Sequence, residues 1–169
     1  MQYNKTLLSI IIIVLVWLIC ILFTNPFHNF PLNDDWSYAF TVKQLIEHGK
    51  YQLTNWIAGP QVTQTLWGAL FCLPFGFSFI ALKVSTVVIA IISIVTFFYI
   101  TINIFNNIYL SIVTTLLLAF NPLFFSLSVT FMTDIHFFAW FILSFLCFIK
   151  NLKNNSNLYL FLGTFFSTA

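Results

Sequence analysis

Arginine is missing from this chain, and charge of either sign is scarce: six lysines and four acids make up 6% of 169 residues. A soluble domain carries roughly 25% charged residues, so this chain is too apolar to cover a water-facing surface. A net charge of +2 with no arginine carries no nucleic-acid signal. Cysteine is sparse as well. Cys20, Cys72 and Cys147 all lie in apolar runs, fit neither a disulfide framework nor a metal spacing, and read as small buried hydrophobes. His28, His48 and His136 likewise lack a ligand spacing and read as interface or packing residues.

What is present is apolar. Hydrophobic residues make up 60%, Phe alone numbers 23, and the mean hydropathy is +0.98. This composition implies an all-α polytopic integral membrane protein. A span needs roughly 20 apolar residues, and spans are expected at 7–24, 84–105, 108–129 and 135–149, with a partial one at 158–169. Asn25-Pro26 closes the first run, since proline disfavours helix at the residue before it. Asn121-Pro122 predicts a kink inside the third. Residues 25–83 form one long loop, expected on the external face, and 1–169 form a single transmembrane domain.

Within that loop, residues 33–49 read as an amphipathic helix lying in the membrane interface. Asn33 is the expected N-cap, Asp34 and Asp35 fall in the first turn, and Gly49 is the stop. Tyr38, Val42, Leu45 and Ile46 form its apolar stripe. The aspartates have two readings. They favour a helix N-terminus in any protein, or they serve chemistry, because charge at a membrane edge is costly. Asp134, in Phe131-Met132-Thr133-Asp134-Ile135-His136, occupies a similar setting, so three of the four acids stand at expected membrane edges.

Asp34 and Asp134 share a membrane face only if an even number of spans separates them. Residues 61–79 decide this. Pro74 and Gly76 interrupt that stretch and favour a segment that does not cross. Both acids then lie outside, with Lys5, Lys150 and Lys153 inside.

Asp34-Asp35-Trp36-Ser37-Tyr38, Thr63-Gln64, Trp67-Gly68-Ala69-Leu70-Phe71, Phe75-Gly76-Phe77-Ser78, Ala81-Leu82-Lys83, Asn121-Pro122 and Met132-Thr133-Asp134 together resemble the N-terminal part of GT-C-fold membrane glycosyltransferases. The nearest group is the superfamily of protein O-mannosyltransferases and aminoarabinose (lipid A) transferases. The resemblance covers essentially the whole chain. It implies a GT-C-like N-terminal transmembrane bundle in a bacterial inner or plasma membrane. The activity implied is transfer of a sugar from a polyprenyl-phosphate-linked donor to a lipid, glycan or protein acceptor on the external face.

On that resemblance Asp34 acts as catalytic base, Asp35 supports it, and Asp134 helps bind acceptor, donor phosphate or, in some members, a divalent cation. No resident cofactor or metal is otherwise implied. Many relatives carry proline after Thr-Asp-x, where this chain has His136, so the local turn is expected to differ. A carboxylate can take the proton of a poorly nucleophilic hydroxyl as the new bond to the anomeric carbon forms, and direct attack inverts that centre. Trp36, Tyr38 and Trp56 are expected to pack against sugar rings, with Lys83 and His136 as further substrate contacts. Lys43, Lys50 and Lys83 are the external cations, and simple solvation is the plainer role for each. Family enzymes have more spans and a later external region, so this polypeptide is read as an N-terminal piece with little activity alone. The alternative is a non-catalytic multi-span protein, a transporter fragment or assembly subunit, whose acids are helix caps.

Overall fold

The computed structural model describes residues 2–57 and 59–168, with side chains from residue 4 onward. The described residues form eight helices and no strand. They are α1 (Gln2–Phe23), α2 (Asp35–His48), α3 (Val62–Cys72), α4 (Phe79–Phe105), α5 (Ile108–Ala119), α6 (Pro122–Leu127), α7 (Thr133–Asn154) and α8 (Asn157–Ser167). Three of them, Asn4–Phe23 within α1, α4 and α7, are long and apolar enough to cross a membrane.

α1 is apolar all round and buries only one stripe. Ile10, Ile13, Trp17 and Ile21 pack inward, while Leu8, Ile12, Leu15, Ile19 and Leu22 stay exposed. Its partners are α4 and α5, through Ile89, Ile94, Phe98 and Ala119. The Trp17 indole N–H donates to Ala119 O at 3.0 Å, so the end of α5 lies against the second half of α1.

Two contacts set the direction of the longest helices. His136, in the first turns of α7, lies 3.5 Å from Thr86 near the start of α4. Lys153, at the end of α7, donates to Asn103 O at 2.9 Å near the end of α4. α4 and α7 therefore run parallel, and α5 with α6 brings the chain back between them. α8 folds back on α7, where Ser144 Oγ donates to Gly163 O at 2.7 Å.

The expected kink at Asn121-Pro122 is a full break. α5 stops at Ala119 after 12 residues, and Asn121 Oδ1 caps a new helix by accepting from Leu123 N (3.0 Å) and Phe124 N (3.3 Å). At 1.5 Å per residue α5 is roughly 18 Å long and α3 roughly 16 Å, both short of a ~30 Å hydrocarbon core. α4 begins five residues before the expected span at 84, capped by Ser78 Oγ, which accepts from Ile80 N.

α2 ends where expected. Gly49 has φ +65, its N–H donates to Leu45 O, and Lys50 N donates to Gln44 O, the left-handed C-terminal motif that glycine favours. Its start departs from expectation. Asn33 sits at φ 55 in a left-handed turn, Asp34 is the residue before the helix, and the Asp34 side chain caps nothing. α2 and α3 pack over the start of α4 through Ala39, Val42, Ala69, Cys72, Leu82 and Phe131. Tyr38, Leu45 and Ile46 join them, so the expected stripe does face a core.

Candidate functional site

The segment after α1 and the segment before α7 meet at one end of the bundle. Asp35, with no exposed surface, makes the join. Its Oδ1 accepts from Leu32 N at 2.8 Å, within its own loop. Its Oδ2 accepts from Phe131 N at 3.3 Å, three residues before Asp134. Burial pushes the Asp35 carboxyl above its ordinary range. The amides of Phe131 and Leu32 and the Lys83 ammonium oppose that shift, and the neighbouring Asp34 carboxylate adds to it.

Lys83 secures the same junction from α4. Its ammonium donates to Pro26 O (3.2 Å) and His28 O (3.0 Å) and stands 5.0 Å from the centre of the Phe30 ring. This corrects the expectation of a solvated lysine or phosphate contact: Lys83 is buried, its ammonium engaged by backbone carbonyls. Asn29 adds a further tie, with Oδ1 accepting from Phe79 N (2.9 Å) and Ser78 Oγ (3.2 Å) at the start of α4. From α3, Gln64 Nε2 donates to Phe131 O at 3.0 Å. Phe131 is thus held at its N–H by Asp35 and at its carbonyl by Gln64.

Around this buried frame stand the other expected residues. Asp34 and Asp134 are both exposed. Asp134 lies in the first turn of α7, where the helix dipole favours its charge. Trp36 and Trp56 are exposed and meet edge to face, ring centres 6.3 Å apart. Tyr38 is half-buried and turned to the small core instead of the surface. His136 is 2% exposed and meets the Phe131 ring edge-on at 5.5 Å, which makes it a packing residue at this junction. No cluster of three or more His, Cys, Asp or Glu gathers among the described residues to hold a metal ion.

A cavity of about 390 Å³ opens beside the junction, between the start of α3, one face of α7 and the end of α8. Gln64, Thr133, His136, Trp140 and Ser144 line it, walled by Phe137, Phe141, Phe145, Phe148 and Phe166.

No family model, curated protein or solved structure matches this chain. The site therefore stands on its geometry. It offers a buried carboxylate at the join of two segments that each carry an exposed one, with an exposed indole pair that includes Trp36, two residues from Asp34. The sequence named the acids and both indoles. It did not reveal the work of Lys83, Asn29 and Gln64, whose partners are 55, 50 and 67 residues distant. Lone polar residues at the edges of apolar runs were the available signal, since such groups must find partners when buried.

Proposed function

We propose that this chain is a polytopic membrane protein of the GT-C glycosyltransferase type, set in a bacterial inner or plasma membrane. It transfers a sugar from a polyprenyl-phosphate-linked donor to an acceptor at the external face, with inversion. The carrying observation is the Asp35–Phe131 hydrogen bond, which joins the two acidic stretches that the sequence keeps about a hundred residues apart.

In this reading Asp34 takes the proton of the acceptor hydroxyl as its oxygen bonds to the anomeric carbon. The bond from that carbon to the phosphate oxygen breaks, and its electron pair leaves with the lipid phosphate. Asp134 orients acceptor or phosphate. Trp36 and Trp56 give the sugar an apolar face to pack on. Asp35, spent on two backbone amides, is a positioning residue, and Lys83 fixes the loop that carries Asp34. A divalent cation remains outside the proposed step, which uses carboxylates alone.

Asp34→Asn, made in a complex reconstituted with the further spans and external region that the resemblance implies and assayed in membranes for transfer from a polyprenyl-phosphate sugar, is expected to lower turnover by about 10²–10⁴-fold, the range of a lost general base. The protein level and unfolding midpoint should be unchanged, since Asp34 is exposed and caps nothing. Turnover at the unsubstituted level would remove the base and favour the non-catalytic reading, in which Asp35 is simply a loop tie.

A further inference from the structure

The two ends of the bundle differ in charge. All four acids of the chain, Asp34, Asp35, Glu47 and Asp134, lie toward the end where α4 starts. Glu47 belongs there because α2 packs over the start of α4. The opposite end, where α4 and α7 finish and α5 and α8 begin, carries lysine and no acid. Lys150 and Lys153 stand in the last turns of α7. Lys5, exposed on α1, joins them. The end of α1 is tied to the start of α4 through Lys83, and α5 leaves from the end of α4, so α1 and α5 both run against α4. Trp17 and Ala119 mark one level on them. At 1.5 Å per residue, Lys5 is about 18 Å back along α1 and Ile108 about 16 Å back along α5, which makes Lys5 level with the turn that opens α5.

The α7 lysines are positioned and still able to bind. Lys153 donates to Asn103 O at 2.9 Å and to Asn103 Oδ1 at 3.2 Å, which uses two of its three N–H groups. The Lys150 ammonium stands 5.4 Å from the centre of the Tyr159 ring, a contact that leaves its N–H donors open. Residues three apart on a helix are neighbours, so the two cations stand side by side. An apolar stripe leads away from them along α8, where Leu158, Phe161 and Phe165 are exposed at intervals of three and four residues.

We infer that the turn between α7 and α8 binds an anionic phospholipid of the leaflet opposite the acidic site. Its phosphate is shared by Lys150 and Lys153, and an acyl chain lies on Leu158, Phe161 and Phe165. The absence of acids selects the head group. A choline or ethanolamine head brings its own cation, and this end offers no carboxylate to receive it. The apolar stripe in turn favours a lipid over a free phosphate. The inference rests on the membrane-spanning part of the proposal above and not on its sugar-transfer chemistry.

The test uses the whole chain in phosphatidylcholine vesicles with a trace of photoactivatable phosphatidylglycerol or, separately, photoactivatable phosphatidylcholine. Each probe carries a diazirine on one acyl chain close to the glycerol. After photolysis, labelled peptides are mapped by mass spectrometry. Residues 150–165 are expected to take at least about fivefold more label from phosphatidylglycerol, the factor a single lysine contributes near an anionic head. Lys150→Gln with Lys153→Gln should bring the two lipids to parity, and Lys150→Arg with Lys153→Arg should keep the preference. Salt gives a reading that needs no variant. Raising the ionic strength from about 0.01 M to about 1 M shortens the screening length from roughly 30 Å to roughly 3 Å, and the wild-type preference should collapse. Equal labelling by the two lipids, or a preference that survives either the glutamine pair or salt, would overturn the inference and leave the spans standing. Absence of label on α1, α4 and α7 from either lipid would overturn the membrane reading with it.

Discussion

A carboxylate with no exposed surface keeps its charge only where donors surround it, and Asp35 has two backbone amides and a nearby ammonium. Burial still outweighs them, so its folded pKa lies above the unfolded 3.8. The folded state therefore holds this proton to higher pH than the unfolded state does. The group's contribution to stability is greatest below about pH 3.8 and falls as pH rises through the folded value. Unfolding midpoints of wild type and Asp35→Asn measured across that rise should show wild type losing ground with pH relative to the variant. A constant offset between them would contradict the assignment. Lys83 tests the same junction from its other side. Lys83→Met leaves His28 O without this donor, while Pro26 O keeps the His28 amide at 2.9 Å, and the lost ties predict a loss of about 1–3 kcal/mol in unfolding free energy. A change within experimental error would mean the loop is held elsewhere.

Among the elements, α3 depends on a close approach. A Cβ at Gly68 would stand 2.6 Å from Phe131 Cζ and 2.9 Å from Leu82 Cδ2. Gly68→Ala is therefore expected to cost roughly 1–3 kcal/mol by overpacking, read as a lowered unfolding midpoint; an unchanged midpoint would show that Phe131 yields freely. Much of this architecture could be read in advance. Charge-free apolar runs marked α1, α4 and α7, and the Gly49 stop closed α2 because its φ suits glycine. The α5–α6 break was legible only as a kink. Proline signals that a helix is interrupted, but whether the chain bends or restarts depends on the Asn121 cap, which takes both free amides of the next turn. Asn33 misled because asparagine suits an N-cap and a left-handed turn equally, and the structure uses it for the turn. The acids and indoles of the site were visible because charge is rare in this chain. Lys83 was not, since a lysine that folds back onto carbonyls 55 and 57 residues away reads the same in sequence as a solvated one.

At the scale of the whole molecule, a single geometric fact underlies the proposal: the loop after α1 and the loop before α7 share one end of the bundle. The parallel course of α4 and α7 produces it, with the return through α5 and α6 covering the distance between them. If the three long apolar helices cross a membrane, Asp34 and Asp134 must face the same compartment. Lys153, bonded at the far end of α4 and α7, must face the other. The direct test is substituted-cysteine labelling in intact cells with a membrane-impermeant maleimide, on a background with Cys20, Cys72 and Cys147 replaced by alanine. Cysteine at 34 and at 134 should both label from outside, and cysteine at 153 only after permeabilisation. Labelling of 34 and 134 from opposite faces would contradict the account.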